Sequence, residues 1–130
     1  MPMAKEDHKG KPLDEIADIL GFGHFDTHLF ICTGPDCCTE EEGMAAWNVV
    51  KKSVKSLNPD LRRSKIYRTK VACLRVCTRG PIAVAYPQGK WFHSVTEEAA
   101  EDIVRHLQSN TGESHSLEFR RHPLPGGDAG

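Results

Sequence analysis

Thiols carry the chemistry most visible in this chain. Cys32 and Cys37 stand in CTGPDC, and Cys73 and Cys77 in CLRVC. Each pair lies at the loop edge of a predicted strand, so four thiolates could converge from two separate loops. Thiolates in that arrangement can hold an iron–sulfur cluster or a structural zinc ion. Two pairs on separate loops suit the cluster, while zinc, which usually takes hooks of C-x2-C to C-x4-C, stays open on ligand count; no C-x-x-C, the mark of a dithiol oxidoreductase, occurs. A plant-type ferredoxin needs a third cysteine after two more intervening residues, where Glu40 stands, and a Rieske centre needs histidines inside its cysteine motifs, whereas His28 and His93 stand apart. Cys38 is the fifth cysteine. It could replace Cys37 as a ligand, but neighbouring side chains do not easily reach the same iron, and packing as a small apolar group is the expectation.

Composition sets the frame around these thiols. The chain has 130 residues, 38% of them hydrophobic, and a formal net charge of −1. That suits one modest core and gives no reason to expect nucleic acid or an anionic membrane as partner. The start, MPMAKEDHKGK, lacks an apolar signal core, and no stretch is long enough to span a bilayer, so a cytoplasmic protein is expected. In a reducing compartment five cysteines point to metal binding or redox work rather than to a disulfide framework.

The elements that must position the thiols follow from pattern and punctuation. Residues 1–25 read as a tail with one possible short helix on Leu13, Ile16, Ile19 and Leu20. His28–Ile31 reads as a strand running into Cys32, and Thr33-Gly34-Pro35-Asp36 as a turn. Thr39 with Glu42 forms a capping box, followed by a helix with Met44, Trp47, Val50, Val54 and Leu57 on one face and stopped at Asn58-Pro59. A second strand spans Ser64–Val71. Ile82–Tyr86 and Trp91–Val95 flank the turn Pro87-Gln88-Gly89-Lys90 and form a hairpin. Thr96 caps a last helix with Ala99, Ala100, Ile103, Val104 and Leu107 as its apolar stripe, and residues 111–130 read as a disordered tail. The result is a thioredoxin-like α/β domain over residues 26–110, βαβ then ββα, with a four-stranded mixed sheet packed with helices. Its right-handed crossover makes the first two strands parallel, so both cysteine loops emerge at one end.

The stretch from His28 to Gln108 resembles the thioredoxin-like [2Fe-2S] ferredoxins, related to the small iron–sulfur subunit of respiratory NADH dehydrogenases. The resemblance rests on FICTGPDC, on VACLRVCTRGPIAVAYPQGKWF and on the TEEAAEDIVRHL helix, of which C-x3-C-x2-GP with its following strand is the most specific. It implies a [2Fe-2S] cluster on Cys32, Cys37, Cys73 and Cys77. It also implies one-electron transfer to and from redox partner proteins without substrate chemistry, and often a homodimer. The NADH dehydrogenase subunit carries a helical segment before this part, and here only a short tail precedes Cys32, which suggests a free-standing ferredoxin. Other readings of the same cysteines are a zinc-stabilised binding module and a cluster sensor or donor. Gly34 and Gly80 either let backbone N–H groups approach cluster sulfurs or are ordinary turn glycines. Arg75 and Arg79 would either raise the cluster potential or meet an acidic partner.

Overall fold

A computed structural model describes residues 10–36, 38–109 and 111–124. Short helix α1 (Leu13–Ile19) precedes β1 (Thr27–Cys32), α2 (Glu40–Leu57), a 3-10 turn at Leu61–Arg63, β2 (Ile66–Val71), β3 (Ala83–Tyr86), β4 (Lys90–Phe92), α3 (Glu97–Ser109) and β5 (Glu118–Arg121). The sheet runs β2-β1-β3-β4-β5. β1 and β2 are parallel, as a helical crossover through α2 demands, and the remaining pairs are antiparallel.

Local chemistry accounts for the helix starts. The Thr39 hydroxyl accepts from the Glu42 N–H and the Glu42 carboxylate accepts from the Thr39 N–H, both at 3.0 Å, which closes the capping box. Thr96 accepts from the Ala99 N–H at the start of α3. Both helices lay their apolar stripes on one sheet face. Ala46, Trp47, Val50 and Val54 of α2 and Ala100, Ile103, Val104 and Leu107 of α3 close over Leu29, Ile31, Ile66, Ala83, Ala85 and Phe92. Strand alternation then sends Phe30, Val84 and Trp91 to the opposite face, where among the described residues no long helix is laid. α1 contributes little to the core: none of its residues is buried and Leu13 is 83% exposed.

The structure corrects the expected sheet by one strand. β5 comes from the stretch 111–130 that composition had marked as a disordered tail. It pairs antiparallel with β4, Lys90 opposite Arg121 and Trp91 opposite Arg120. Polar anchors hold it where an apolar stripe is lacking: the His122 N–H donates to the Gly89 carbonyl and the Leu124 N–H to the Pro87 carbonyl, both at 2.9 Å, and Lys90 Nζ donates to the Glu113 carbonyl at 3.0 Å. The domain thus extends past residue 110. Residues 1–9 and 125–130, the outer parts of the two expected tails, lie outside the described residues. Among the described residues no helix is long and apolar enough to cross a membrane.

One glycine fixes how closely α2 approaches the strand end. A Cβ on Gly43 would sit 2.4 Å from Thr33 Cα and 2.6 Å from its carbonyl carbon and oxygen, all backbone atoms next to Cys32. Helix propensity alone favours Gly43→Ala by about 1 kcal/mol. The collision with immovable backbone outweighs it, and the variant is expected to lose about 1–3 kcal/mol of stability in urea unfolding. An unchanged or raised midpoint would mean that the helix can shift without cost.

Candidate metal centre

Parallel pairing in register, Thr27 with Ile66 through to Cys32 with Val71, ends both strands at the same level. The chain leaves each strand into a cysteine loop. Just past the register the loops are tied together: the Thr33 N–H donates to the Val71 carbonyl at 2.8 Å and the Thr33 hydroxyl donates to the same oxygen at 3.3 Å. The first loop then folds back tightly at Gly34, whose φ of +88° lies in the left-handed region and whose absent Cβ would meet the Cys38 carbonyl oxygen at 2.4 Å. Cys37 lies outside the described residues.

The second loop brings two of the expected ligands together. Cys73 and Cys77 place their sulfurs 3.8 Å apart. Two thiolates bound at about 2.3 Å to one tetrahedral metal ion would stand about 3.8 Å apart, while a disulfide needs about 2.05 Å. The backbone is bent to reach this geometry. Arg75, Cys77 and Arg79 have φ of 72°, 59° and 56°, left-handed values that side-chain-bearing residues rarely adopt. Alternation of that kind turns successive N–H groups inward to form an anion-binding concavity, and the Arg75 N–H donates to the Cys73 sulfur at 3.1 Å. The Cys77 thiol is pushed up, first by its contact with Cys73 and then by slight desolvation and the charges of Cys73 and Asp36, with Arg75 pulling the other way. Asp36 belongs to the first loop, so the two loops face each other. A cation bound between the paired sulfurs would relieve this mutual repulsion and release their protons.

Cys32 sits differently. It is fully buried, and backbone bonds to Ile82 grip it twice: the Ile82 N–H donates to the Cys32 sulfur at 3.1 Å and the Cys32 N–H donates to the Ile82 carbonyl at 2.9 Å. Against the expectation of thiols throughout, Cys32 is disulfide-bonded. A sulfur placed to share a ligand with a neighbouring thiol is equally placed to oxidise with one, and reduction must precede any role as a thiolate. Among the described residues no three His, Cys, Asp or Glu side chains gather into a metal site. Cys73 and Cys77 are thus at ligating distance, and Cys32 lies at the adjacent strand end. Cys38 is half-buried, and burial together with the Glu42 carboxylate pushes its thiol up, against a backbone hydrogen bond at Gly43 that lowers it.

Two features of this centre escaped the sequence reading. Ile82 reads as an ordinary strand residue, and only the fold aims its N–H at Cys32. The positive φ values fall on arginine and cysteine rather than on glycine, so no residue type signals them. Arg75 and Arg79 are both exposed beside Cys77, itself exposed. A converging thiolate pair and N–H donors aimed at sulfur are a donor set that fits an iron–sulfur cluster.

No family model matches the chain. Relatives are nevertheless clear. A protein of Priestia megaterium provisionally named a 2Fe-2S ferredoxin is 33% identical over 91 residues, covering 69% of this chain and 68% of the relative. A 2Fe-2S ferredoxin of Clostridium pasteurianum is 28% identical over 87 residues, covering 63% of this chain and 85% of the relative. Among solved structures, a thioredoxin-like [2Fe-2S] ferredoxin from Aquifex aeolicus superposes with a TM-score of 0.63 at 24% identity, covering 80% of this chain and 98% of that one, which establishes the thioredoxin-like fold. With the fold shared and a third of the aligned residues identical to one relative, this chain belongs to the 2Fe-2S ferredoxin family.

Proposed function

We propose that this chain is a one-electron carrier whose [2Fe-2S] cluster is held by Cys32, Cys37, Cys73 and Cys77. The observation that carries the ligand set is the 3.8 Å separation of the Cys73 and Cys77 sulfurs, set beside a strand end that delivers Cys32. A [2Fe-2S] cluster supplies a one-electron couple at a potential tuned by hydrogen bonds, charge and exposure. The chain's own residues provide that tuning. N–H groups of Arg75 and Ile82 donate to the Cys73 and Cys32 sulfurs and would spread their charge once both are thiolates, and the exposed Arg75 and Arg79 guanidiniums favour the more negative reduced state. Cys77 is the exposed ligand, so redox partner proteins dock over the 73–80 loop, in a small and transient interface. The protein passes electrons between those partners and has no substrate of its own. Cytoplasmic residence fits these thiols, which must be reduced to bind metal. A homodimer would use the sheet face that lacks a long helix, where Phe30 and Trp91 lie only half-covered.

The test is an absorption spectrum of anaerobically purified protein, EPR after dithionite reduction, and iron and sulfide assays on the same sample. Visible charge-transfer bands, a reduced EPR signal and equal iron and sulfide are expected; a colourless zinc protein from strictly anaerobic preparation would overturn the reading. Cys73→Ala is expected to lose nearly all bound iron and sulfide, and a variant that stays red-brown would remove Cys73 from the ligand set. Cys38→Ala is expected to keep wild-type iron and sulfide, and loss of the cluster there would move the fourth ligand from Cys37 to Cys38.

A further inference from the structure

A second cluster of titratable groups lies at the other end of the sheet. Because β3 runs antiparallel to β1, Tyr86 and the turn into Lys90 sit opposite the cysteine loops. Lys90 is only 4% exposed, an unusual burial for an ammonium, and its Nζ has two partners. It stands 3.1 Å from His106 Nε2 of α3 and donates to the Glu113 carbonyl at 3.0 Å. An ammonium has no acceptor to offer, so His106 Nε2 must be the acceptor and carry no proton. His115 completes the arrangement. Its side chain is 8% exposed, its Nδ1 accepts from the Leu117 N–H at 3.0 Å, and its Nε2 faces Asp102 Oδ2 at 2.6 Å, so its proton belongs on Nε2.

Besides its backbone ladder to β4 and the packing of Leu117 on the core, the segment that carries β5 is fastened by side chains at this cluster. Arg121 donates to the Gly112 and Glu113 carbonyls and pairs with Glu118, while Lys90 holds Glu113 and Asp102 holds His115. Arg121 and Glu118 from β5, Lys90 from β4, Asp102 and His106 from α3, and His115 from the connecting stretch are the charged or titratable groups that meet here. At the strand's far end Arg120 donates to His122 Nε2 at 2.9 Å.

We propose that His106 and Lys90 form a proton-operated latch, whose protonation releases the 111–124 segment and β5 from the sheet while the ferredoxin core and its cysteine loops stay folded. Protonating His106 Nε2 removes the acceptor that Lys90 uses and sets two cations in contact within a buried site. Release of the segment opens the site to water and separates them. Burial, with Lys90 and His115 adding to it, holds His106 below its ordinary value while the segment is docked. The released segment returns it toward the ordinary histidine value. The His106 contribution to docking is therefore constant above that value, and docking weakens as pH falls below it, by up to about tenfold per pH unit for one proton, while Lys90, also held down by burial, acts only at higher pH.

Hydrogen exchange on the cluster-loaded full chain, read by mass spectrometry as protection corrected for intrinsic exchange, tests the latch at pH 7.5 and 5.5. In the wild type, protection across 118–122 is expected to fall up to about tenfold at pH 5.5 while the β1 and β3 amides and the visible spectrum hold. His106→Gln keeps an acceptor for Lys90 but cannot gain the charge, and its protection is expected to stay level. If that variant fails to dock the segment at pH 7.5, Lys90→Met, which removes the like charge, is expected to reduce the fall. Wild-type protection that does not change, a fall undiminished in both variants, or a fall abolished by His115→Gln but kept by His106→Gln would each overturn the proposal.

Discussion

Parallel pairing of β1 with β2 is the constraint on which the centre depends. A parallel pair cannot be closed by a tight turn, so the chain must cross over through α2, and the crossover returns the second strand in the same direction as the first. Register then places Cys32 opposite Val71. Two loops far apart in sequence consequently open at one level, with Thr33 stitched to Val71 between them. Gly43 lets α2 sit against Thr33 without a side chain between, so the core and the centre share one contact. A slip of one residue would turn Cys32 to the other face and break this arrangement.

The two sulfur environments differ in kind. Cys32 is buried and held on both sides by Ile82, which makes it part of the sheet as much as part of the site. Cys73 and Cys77 sit in a loop whose backbone is bent into left-handed conformations at non-glycine positions, a conformation that persists only when its surroundings hold it. Rigidity lies on the first side and strain on the second. Exposure follows the same division, since Cys77 reaches the surface between two arginines. At the opposite end, Lys90 and His106 show how a buried cation can replace the apolar packing that a short terminal strand lacks.

Much of this was legible in advance because the signals were local. The capping box of Thr39 and Glu42, the stripes of α2 and α3, the hairpin around Gly89 and the cysteine pairs are all written in spacing or residue type. β5 was not legible: its residues have the composition of a solvated tail, and what orders them is a set of polar bonds to Lys90, Asp102 and Gly89, which are remote in sequence. The Ile82 donor to Cys32 was hidden for a related reason, since a backbone N–H has no side-chain signature. Disulfide formation at Cys32 ran against an expectation drawn from compartment, a property that spacing cannot encode.

By itself the sequence determined the periodicity of the helices, the alternation of the strands, the parallel crossover and the residue types able to bind iron, because each depends on interactions within a few residues or on general rules of chain connection. Tertiary structure decided the rest. Whether Cys73 and Cys77 meet at 3.8 Å, which amide faces Cys32 and whether a polar tail becomes a strand depend on distances between residues far apart in the chain. Those distances are set only when the core closes and fixes the loops and the tail against it.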